Sequence, residues 1–200
     1  MSSSTNEIIL ASASPRRAQL LRGLGIRFSI EPSQVIEAAL DNESPTDYIT
    51  RIARAKALDV ARRKHSGLII AADTEVIIDG QILGKPKDFE DASRMLRLLS
   101  SRWHAVITGV ALCDAATGRE AEGFSKTIVR FAELTPAEID WYVASGEPFD
   151  KAGGYGIQGL GSVLVEEISG SYHNVVGLPL RLLYKLASEL GRPLFETRCR

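Results

Sequence analysis

Short all-apolar runs alternate with amphipathic stretches along this chain, the pattern of a sheet covered by helices. Ile8, Ile9 and Leu10 within Glu7 to Ala11 predict a short buried strand. Ser14-Pro15 then opens a helix, since serine caps an N-terminus and proline suits the first helical position. Its apolar residues are Leu20, Leu21 and Leu24, and Gly25 is the expected stop. A second helix starts at Ser44-Pro45, with Asp47 at the capping-box position, and runs to about Lys64. Leu68 to Ala72 has the pattern of a strand covered on both faces and ends at Asp73-Thr74. Val76, Ile77 and Ile78 continue as a strand into Asp79-Gly80, a hairpin signal.

A helix is predicted from about Phe89 to Leu99, and a longer strand pair over Ala105 to Cys113 and Ser125 to Phe131 turns at Thr117-Gly118. Thr135-Pro136-Ala137-Glu138 is a capping box, and its helix should end at Gly146. Ser162 to Ile168 reads as a strand and Leu178 to Leu190 as a final amphipathic helix. Arg192 to Arg200 reads as a loosely held tail. Hairpins among mixed strands and helices predict an α/β fold with a mixed twisted sheet and flanking helices. No repeat, low-complexity segment or linker interrupts the 200 residues, which fit one domain with a core over about 8–190.

Composition narrows the partners. Hydrophobic residues are 44% and charged residues 24%, ordinary for a globular protein. A net charge of −1 lacks the basic excess of a nucleic-acid binder, and 6% aromatics are too few for base-stacking platforms. The two cysteines, Cys113 and Cys199, form no CxxC pair, which suits a reducing cytoplasm with Cys113 in the core and Cys199 in the tail. The polar start Met1 to Glu7 lacks a signal core, and no run reaches the ~20 apolar residues of a membrane span. A small anionic ligand remains open, because a pocket needs only a few placed cations.

Four stretches carry candidate chemistry. Ser12-Ala13-Ser14-Pro15-Arg16-Arg17 delivers a strand to a helix N-terminus, where free N–H groups and the macrodipole favour an anion. Arg16 and Arg17 are unfavourable in that first turn, by roughly 0.3–1 kcal/mol each, unless an anion offsets them; two solvated arginines are the alternative. Lys56 falls in the middle of the apolar stripe Ile49, Ile52, Ala53 and Val60, which favours an inward side chain; a lysine that snorkels at the stripe's edge is the alternative. Asp73-Thr74 ends a buried strand, where α/β proteins gather ligands, or else caps a turn. Lys85, in Gly84-Lys85-Pro86, reads by itself as a surface lysine. Asp150 to Gly161 carries glycines at 153, 154, 156, 159 and 161, which permit close backbone approach, and Gln158 offers the paired donor and acceptor that suit a base edge. Tyr155, Ile157 and Gln158 between the glycines favour an ordered loop over a linker. The three histidines, His65, His104 and His173, are scattered, with His65 read as surface and His173 as a turn residue. There is no GxxxxGK[ST] loop, HExxH or GxSxG motif.

Taken in order, Ser12 to Arg17, Ala53-Arg54-Ala55-Lys56-Ala57, Ala72-Asp73-Thr74, Gly84-Lys85-Pro86, Asp150 to Gly159 and Ser171 to Pro179 resemble the Maf family of nucleoside triphosphate pyrophosphatases. The resemblance implies two lobes around a substrate cleft, a fold related to inosine triphosphate pyrophosphatases, and dependence on a divalent cation, Mg²⁺ or Mn²⁺. It implies Asp73 as the catalytic carboxylate and Arg16, Arg17, Lys56 and Lys85 as phosphate-site cations. Glu37 matches an acidic metal-site position that Asp73 shares, within a stretch less faithful to the family. Arg16, Thr74 and Gln158 match positions tied to substrate choice, and Tyr155-Gly156-Ile157-Gln158 looks like the dTTP/UTP subgroup rather than the 7-methyl-GTP one. Glu75 departs from the apolar residue usual after the threonine, as an edge-strand charge or a further metal ligand. The implied activity is that of a nucleoside triphosphate diphosphatase, a cytoplasmic hydrolase with a small-molecule nucleotide substrate and no nucleic-acid or membrane partner, with a homodimer as the candidate assembly. A nucleotide-binding regulator of cell division without turnover, and a housecleaning enzyme for non-standard nucleotides, are the alternatives.

Overall fold

The computed structural model describes Glu7–Phe195. The polar start before Glu7, the outer part of the predicted tail and Cys199 lie outside the described residues. The strands are β1 (Ile8–Leu10), β2 (Ser29–Ile30), β3 (Leu68–Ile78), β4 (Gln81–Leu83), β5 (Trp103–Asp114), β6 (Glu120–Phe131) and β7 (Val165–Ser169). The helices are α1 (Pro15–Gly23), α2 (Pro45–Ala61), α3 (Phe89–Leu99), α4 (Pro136–Ala144), α5 (Tyr172–Val176) and α6 (Leu180–Glu189). The strands form one seven-stranded sheet in the order β2-β1-β3-β5-β6-β7, with β4 paired to β3. Pairing of β1 with β2 and β3 is parallel, and pairing of β3 with β4 and of β6 with β7 is antiparallel, so the sheet is mixed as predicted.

The helix starts follow the predicted caps. Ser14, Ser44 and Thr135 accept the N–H three residues on, and Thr135 and Glu138 form the full reciprocal box. At Ser44 the box is incomplete: the Asp47 carboxylate accepts the serine hydroxyl proton at 2.6 Å without closing the box on the Ser44 N–H as Glu138 does at Thr135. Asp79 and Gly80 both have positive φ, 50° and 76°, the backbone that joins β3 to β4 tightly.

The chain folds into two compact units. The first comprises Met1–Asp73, Thr108–Phe124 and Gly177–Arg200. Here alternation along the strands sorts two apolar layers. Leu10, Leu68, Ile70, Ala72, Val110 and Leu112 pack with Leu21 of α1 and Leu183 and Leu186 of α6. Ile9, Ala11, Ile69, Ala71, Ala111 and Cys113 pack with Ala53, Ala57 and Val60 of α2. Fully burying each of the larger aliphatic side chains stabilises by about 1.5–3 kcal/mol. A Cβ on Gly109 of β5 would lie 2.8 Å from the Ile49 carbonyl oxygen, so a glycine is what lets α2 sit against that strand. The second unit, Thr74–Ile107 with Ser125–Val176, packs Val76 and Ile78 of β3 with Leu96 and Leu99 of α3, Val129 and Phe131 of β6, and Ile139 and Tyr142 of α4.

Four expectations change. Asp73 does not end a strand, because β3 runs unbroken through it; a cation beside it, described below, allows a carboxylate mid-strand. The segment before β7 is 3₁₀ turn over Gly159–Leu164, since Gly159 has φ of 73° and the next two N–H groups bond a side chain. His173 lies in the short helix α5 rather than in a turn. The tail is held as far as Phe195: Arg192 pairs with Asp114, and Leu194 joins the core.

Candidate active site

Both predicted motifs of the first unit come from the β1 and β3 strands. Leu10 pairs with Ile70, and Ala11 N–H donates to the Ile70 carbonyl at 2.8 Å. Beyond this pairing β3 runs on to Asp73, three residues after Ile70, while the chain leaves β1. The chain then turns into α1, whose first turn holds Arg16 and Arg17 with no acidic residue. The buried Ser12 hydroxyl accepts Ser14 N–H at 3.2 Å and Arg17 Nη1 at 3.1 Å. Arg17 Nε donates to the Gly177 carbonyl at 2.8 Å. Arg17 is therefore partly committed to holding the N-terminus of α1 to Gly177. Arg16, half-buried, stands one position earlier in the same first turn.

Strand parity directs Asp73, like Ile69 and Ala71, to the face that α2 covers. Lys56 comes to meet it from the stripe of Ile49, Ile52, Ala53 and Val60, all buried. Its Nζ donates to Asp73 Oδ1 at 2.7 Å, with side-chain exposures of 8% and 5%, so water screens this pair little. The same ammonium lies 2.6 Å from Glu37 Oε1, a side chain 46% exposed. Asp73 Oδ2 is buried and has no hydrogen-bond partner. A carboxylate oxygen stripped of water and left unmatched costs about 1–3 kcal/mol or more, so it marks a place where a further ligand would be stabilising. Glu75, two residues on, is also buried, in a strand that lies between β1 and β5, which overturns its reading as an edge-strand charge.

Three further candidates belong to the second unit. Thr74 is half-buried in β3. Lys85 is exposed in the turn after β4, and the preceding Gly84 carbonyl accepts Gly153 N–H at 3.0 Å. That bond brings Lys85 to the glycine-rich loop. Gly153 has φ of 69°, and a Cβ there would lie 2.8 Å from Val76 Cγ2, so this glycine is required by both backbone and space. Gln158 is half-buried in extended backbone between the loop glycines.

Several positions carried no such signal in the sequence. His104 of β5 is buried, bonded through Nε2 to the Tyr155 hydroxyl at 2.7 Å, and packed edge-on against Phe131. Burial pushes its imidazole down to about 4, so it is neutral at pH 7. Burial likewise pushes the Tyr155 phenol well above its ordinary value. Glu147 and Tyr142 bind the glycine-rich loop, and nothing in the Gly146-Glu147-Pro148 turn announces it.

Among the described residues no group of three or more His, Cys, Asp or Glu side chains could hold a metal. A Mg²⁺-type cation does not need one: it keeps several waters and takes one or two carboxylates plus substrate phosphates. Asp73, with Oδ2 unmatched, and Glu37, which shares Lys56 with it, are carboxylates of the kind such a cation takes. Among the described residues no helix is long and apolar enough to cross a membrane.

The first unit thus joins a buried Lys56–Asp73 pair on α2 and β3 to a helix, α1, whose first turn carries two arginines, within a mixed α/β protein. The Maf-like protein family model matches residues 7–190, and the chain belongs to that family. A protein of Anaeromyxobacter dehalogenans named dTTP/UTP pyrophosphatase is 49% identical over 94% of this chain and 95% of its own length. One of the same name from Symbiobacterium thermophilum is 46% identical over 94% of this chain and 96% of its own. Among solved structures, the Staphylococcus aureus Ham1 protein covers 64% of this chain and 72% of that one at 14% identity and a TM-score of 0.45, a likeness too slight to bear on function.

Proposed function

We propose that the chain is a cytoplasmic nucleoside triphosphate pyrophosphatase that hydrolyses dTTP and UTP to the monophosphate and pyrophosphate. Family membership and relatives of that name across nearly the whole chain support the reaction. The observation that carries the site is the buried Asp73, with Oδ1 held by Lys56 and Oδ2 unmatched.

The roles follow from placement. Arg16, in the first turn of α1, binds triphosphate oxygens, and Arg17 shares that work with its hold on Gly177. Lys56 fixes the Asp73 carboxylate and adds positive charge beside the phosphates. Lys85 adds a further cation, and Thr74 and Gln158 contribute to substrate choice. A divalent cation, Mg²⁺ or Mn²⁺, would be held by Asp73 and Glu37; when bound it neutralises phosphate charge and acidifies water. Two roles suit Asp73 Oδ2, proton acceptor for the attacking water and ligand of that cation, and both put the reacting water beside Asp73. Attack at the α-phosphorus forms one P–O bond and breaks the bond to the leaving pyrophosphate, whose growing charge the cations stabilise. A regulator without turnover would not require a buried carboxylate with an oxygen left open.

Asp73→Asn tests this. An amide accepts no proton at neutral pH and is a poorer ligand for a hard cation. Pyrophosphate release from dTTP and UTP should vanish while nucleotide binding, followed by calorimetry, largely survives. Near-normal turnover by the folded variant would sink the assignment.

A further inference from the structure

The stretch that carries Gln158 is held by a single carboxylate. Glu147 Oε2 accepts Leu160 N–H at 2.9 Å, and Oε1 accepts Gly161 N–H at 3.0 Å. Oε1 also accepts the Tyr142 hydroxyl proton at 2.9 Å, and the Tyr142 oxygen accepts Gly156 N–H at 3.2 Å. Gln158 is thus bracketed two residues before and two and three residues after by one connected pair of side chains. The intervening glycines make the approach possible. A Cβ on Gly159 would lie 2.7 Å from Glu147 Oε2, and one on Gly161 would lie 2.6 Å from the Tyr142 oxygen. Lys151 Nζ donates to the Glu147 carbonyl at 2.6 Å, which anchors the turn from which the carboxylate projects. Although burial opposes ionisation, the N–H groups of Gly161 and Leu160 and the Tyr142 hydroxyl hold the Glu147 carboxyl below its usual range. Charge-assisted bonds of this kind are shorter and stronger than neutral ones.

We propose that Glu147 and Tyr142 are positioning residues for base selection: they set the loop so that the Gln158 amide stands ready to meet a pyrimidine edge. The proposal rests on the reading of Gln158 as the residue that reads the base. Neither side chain needs to touch the nucleotide. Their action runs through the backbone at 156, 160 and 161, and its effect is to pre-organise a donor and acceptor that the substrate would otherwise have to order.

The test compares kcat/KM for UTP and CTP in the full-length protein, in Glu147→Gln, in Tyr142→Phe, in Gln158→Ala and in the double variant Gln158→Ala/Glu147→Gln. Glu147→Gln turns one acceptor of a backbone N–H into a second donor, and Tyr142→Phe removes only the hydroxyl, which keeps the test open if the first variant does not fold. Each should lower the UTP-to-CTP preference by ~5-fold or more, chiefly through the KM for UTP, with kcat at saturating UTP within ~3-fold of the parent. In the Gln158→Ala background, Glu147→Gln should leave the remaining preference unchanged, the signature of two residues acting as one unit. A preference lowered by Gln158→Ala but untouched by both Glu147→Gln and Tyr142→Phe overturns the positioning proposal alone. So does a fall in kcat with the preference intact, or an equal effect of Glu147→Gln in both backgrounds. A preference unchanged by Gln158→Ala overturns the base-reading assignment, and the proposal with it.

Discussion

Replacing Lys56 by methionine isolates the charge of the buried pair from its packing. Methionine keeps an unbranched apolar stem in the α2 stripe and removes only the ammonium, which lies 2.7 Å from Asp73 Oδ1 and 2.6 Å from Glu37 Oε1. Glu37 can turn to water, being 46% exposed on its side chain, whereas Asp73 at 5% cannot. The variant therefore leaves a buried carboxylate without its cation, a change that costs about 3–5 kcal/mol. For a chain of this length that corresponds to a fall in Tm of roughly 6–20 °C. Asp73→Asn/Lys56→Met should recover most of the loss, since neither charge remains buried. The cycle of single and double variants, measured by urea denaturation at pH 7 with unchanged m-values, should give a coupling energy above ~2 kcal/mol. Exposed ion pairs give only about 0.2–1 kcal/mol. A coupling below that upper limit would refute the picture of Lys56 and Asp73 as a dry, mutually dependent pair.

Three further outcomes are expected. Arg16→Ala and Lys85→Ala should each lower kcat/KM for UTP by at least ~10-fold, about 1.4 kcal/mol of transition-state stabilisation, and unchanged steady-state kinetics would remove that cation from the site. His104 takes its proton only near pH 4 when folded but near 6.5 when unfolded, so the stability it contributes is present above pH 6.5 and lost as pH falls towards 4. Between pH 7 and 4 the parent should lose on the order of 3 kcal/mol more than His104→Gln, and parallel stability curves would contradict this. Gly109→Ala places a Cβ 2.8 Å from the Ile49 carbonyl oxygen and should cost ~1–3 kcal/mol in denaturant titration; a neutral result would mean that α2 is not seated on β5 as described.

The sequence made some of this legible and hid the rest for identifiable reasons. Helix starts were readable because Ser14, Ser44 and Thr135 act locally on a backbone group three residues away. Lys56 was readable because a cation in the centre of an apolar stripe has few places to go. Its partner's position was not: Asp73 looked like a strand end, and only a lysine 17 residues away explains why the strand continues. Arg17's bond to Gly177 spans 160 residues and leaves no trace in either local pattern. The glycine-rich loop was recognisable by composition, but its order comes from Glu147 and Tyr142, whose own neighbourhoods read as an ordinary helix end and turn. Local rules foretold elements, and long-range pairing decided which polar side chains they could carry inside.

The division into two compact units has a bearing on heredity. Chain passes from one to the other at Asp73/Thr74, Ile107/Thr108, Phe124/Ser125 and Val176/Gly177, and the first three of these crossings fall inside β3, β5 and β6. Each unit is therefore assembled from separate stretches of the gene, and three of the four joins are hydrogen-bonded strand rather than tether. Neither unit can be cloned as an unbroken fragment, duplicated by itself, or exchanged by recombination without cutting a strand in two. Asp73 is the last residue before one of those joins, so a break there would strand the carboxylate from Thr74, its immediate neighbour in the chain. Exchange of one unit between relatives would have to cut β3, β5 and β6 at these joins.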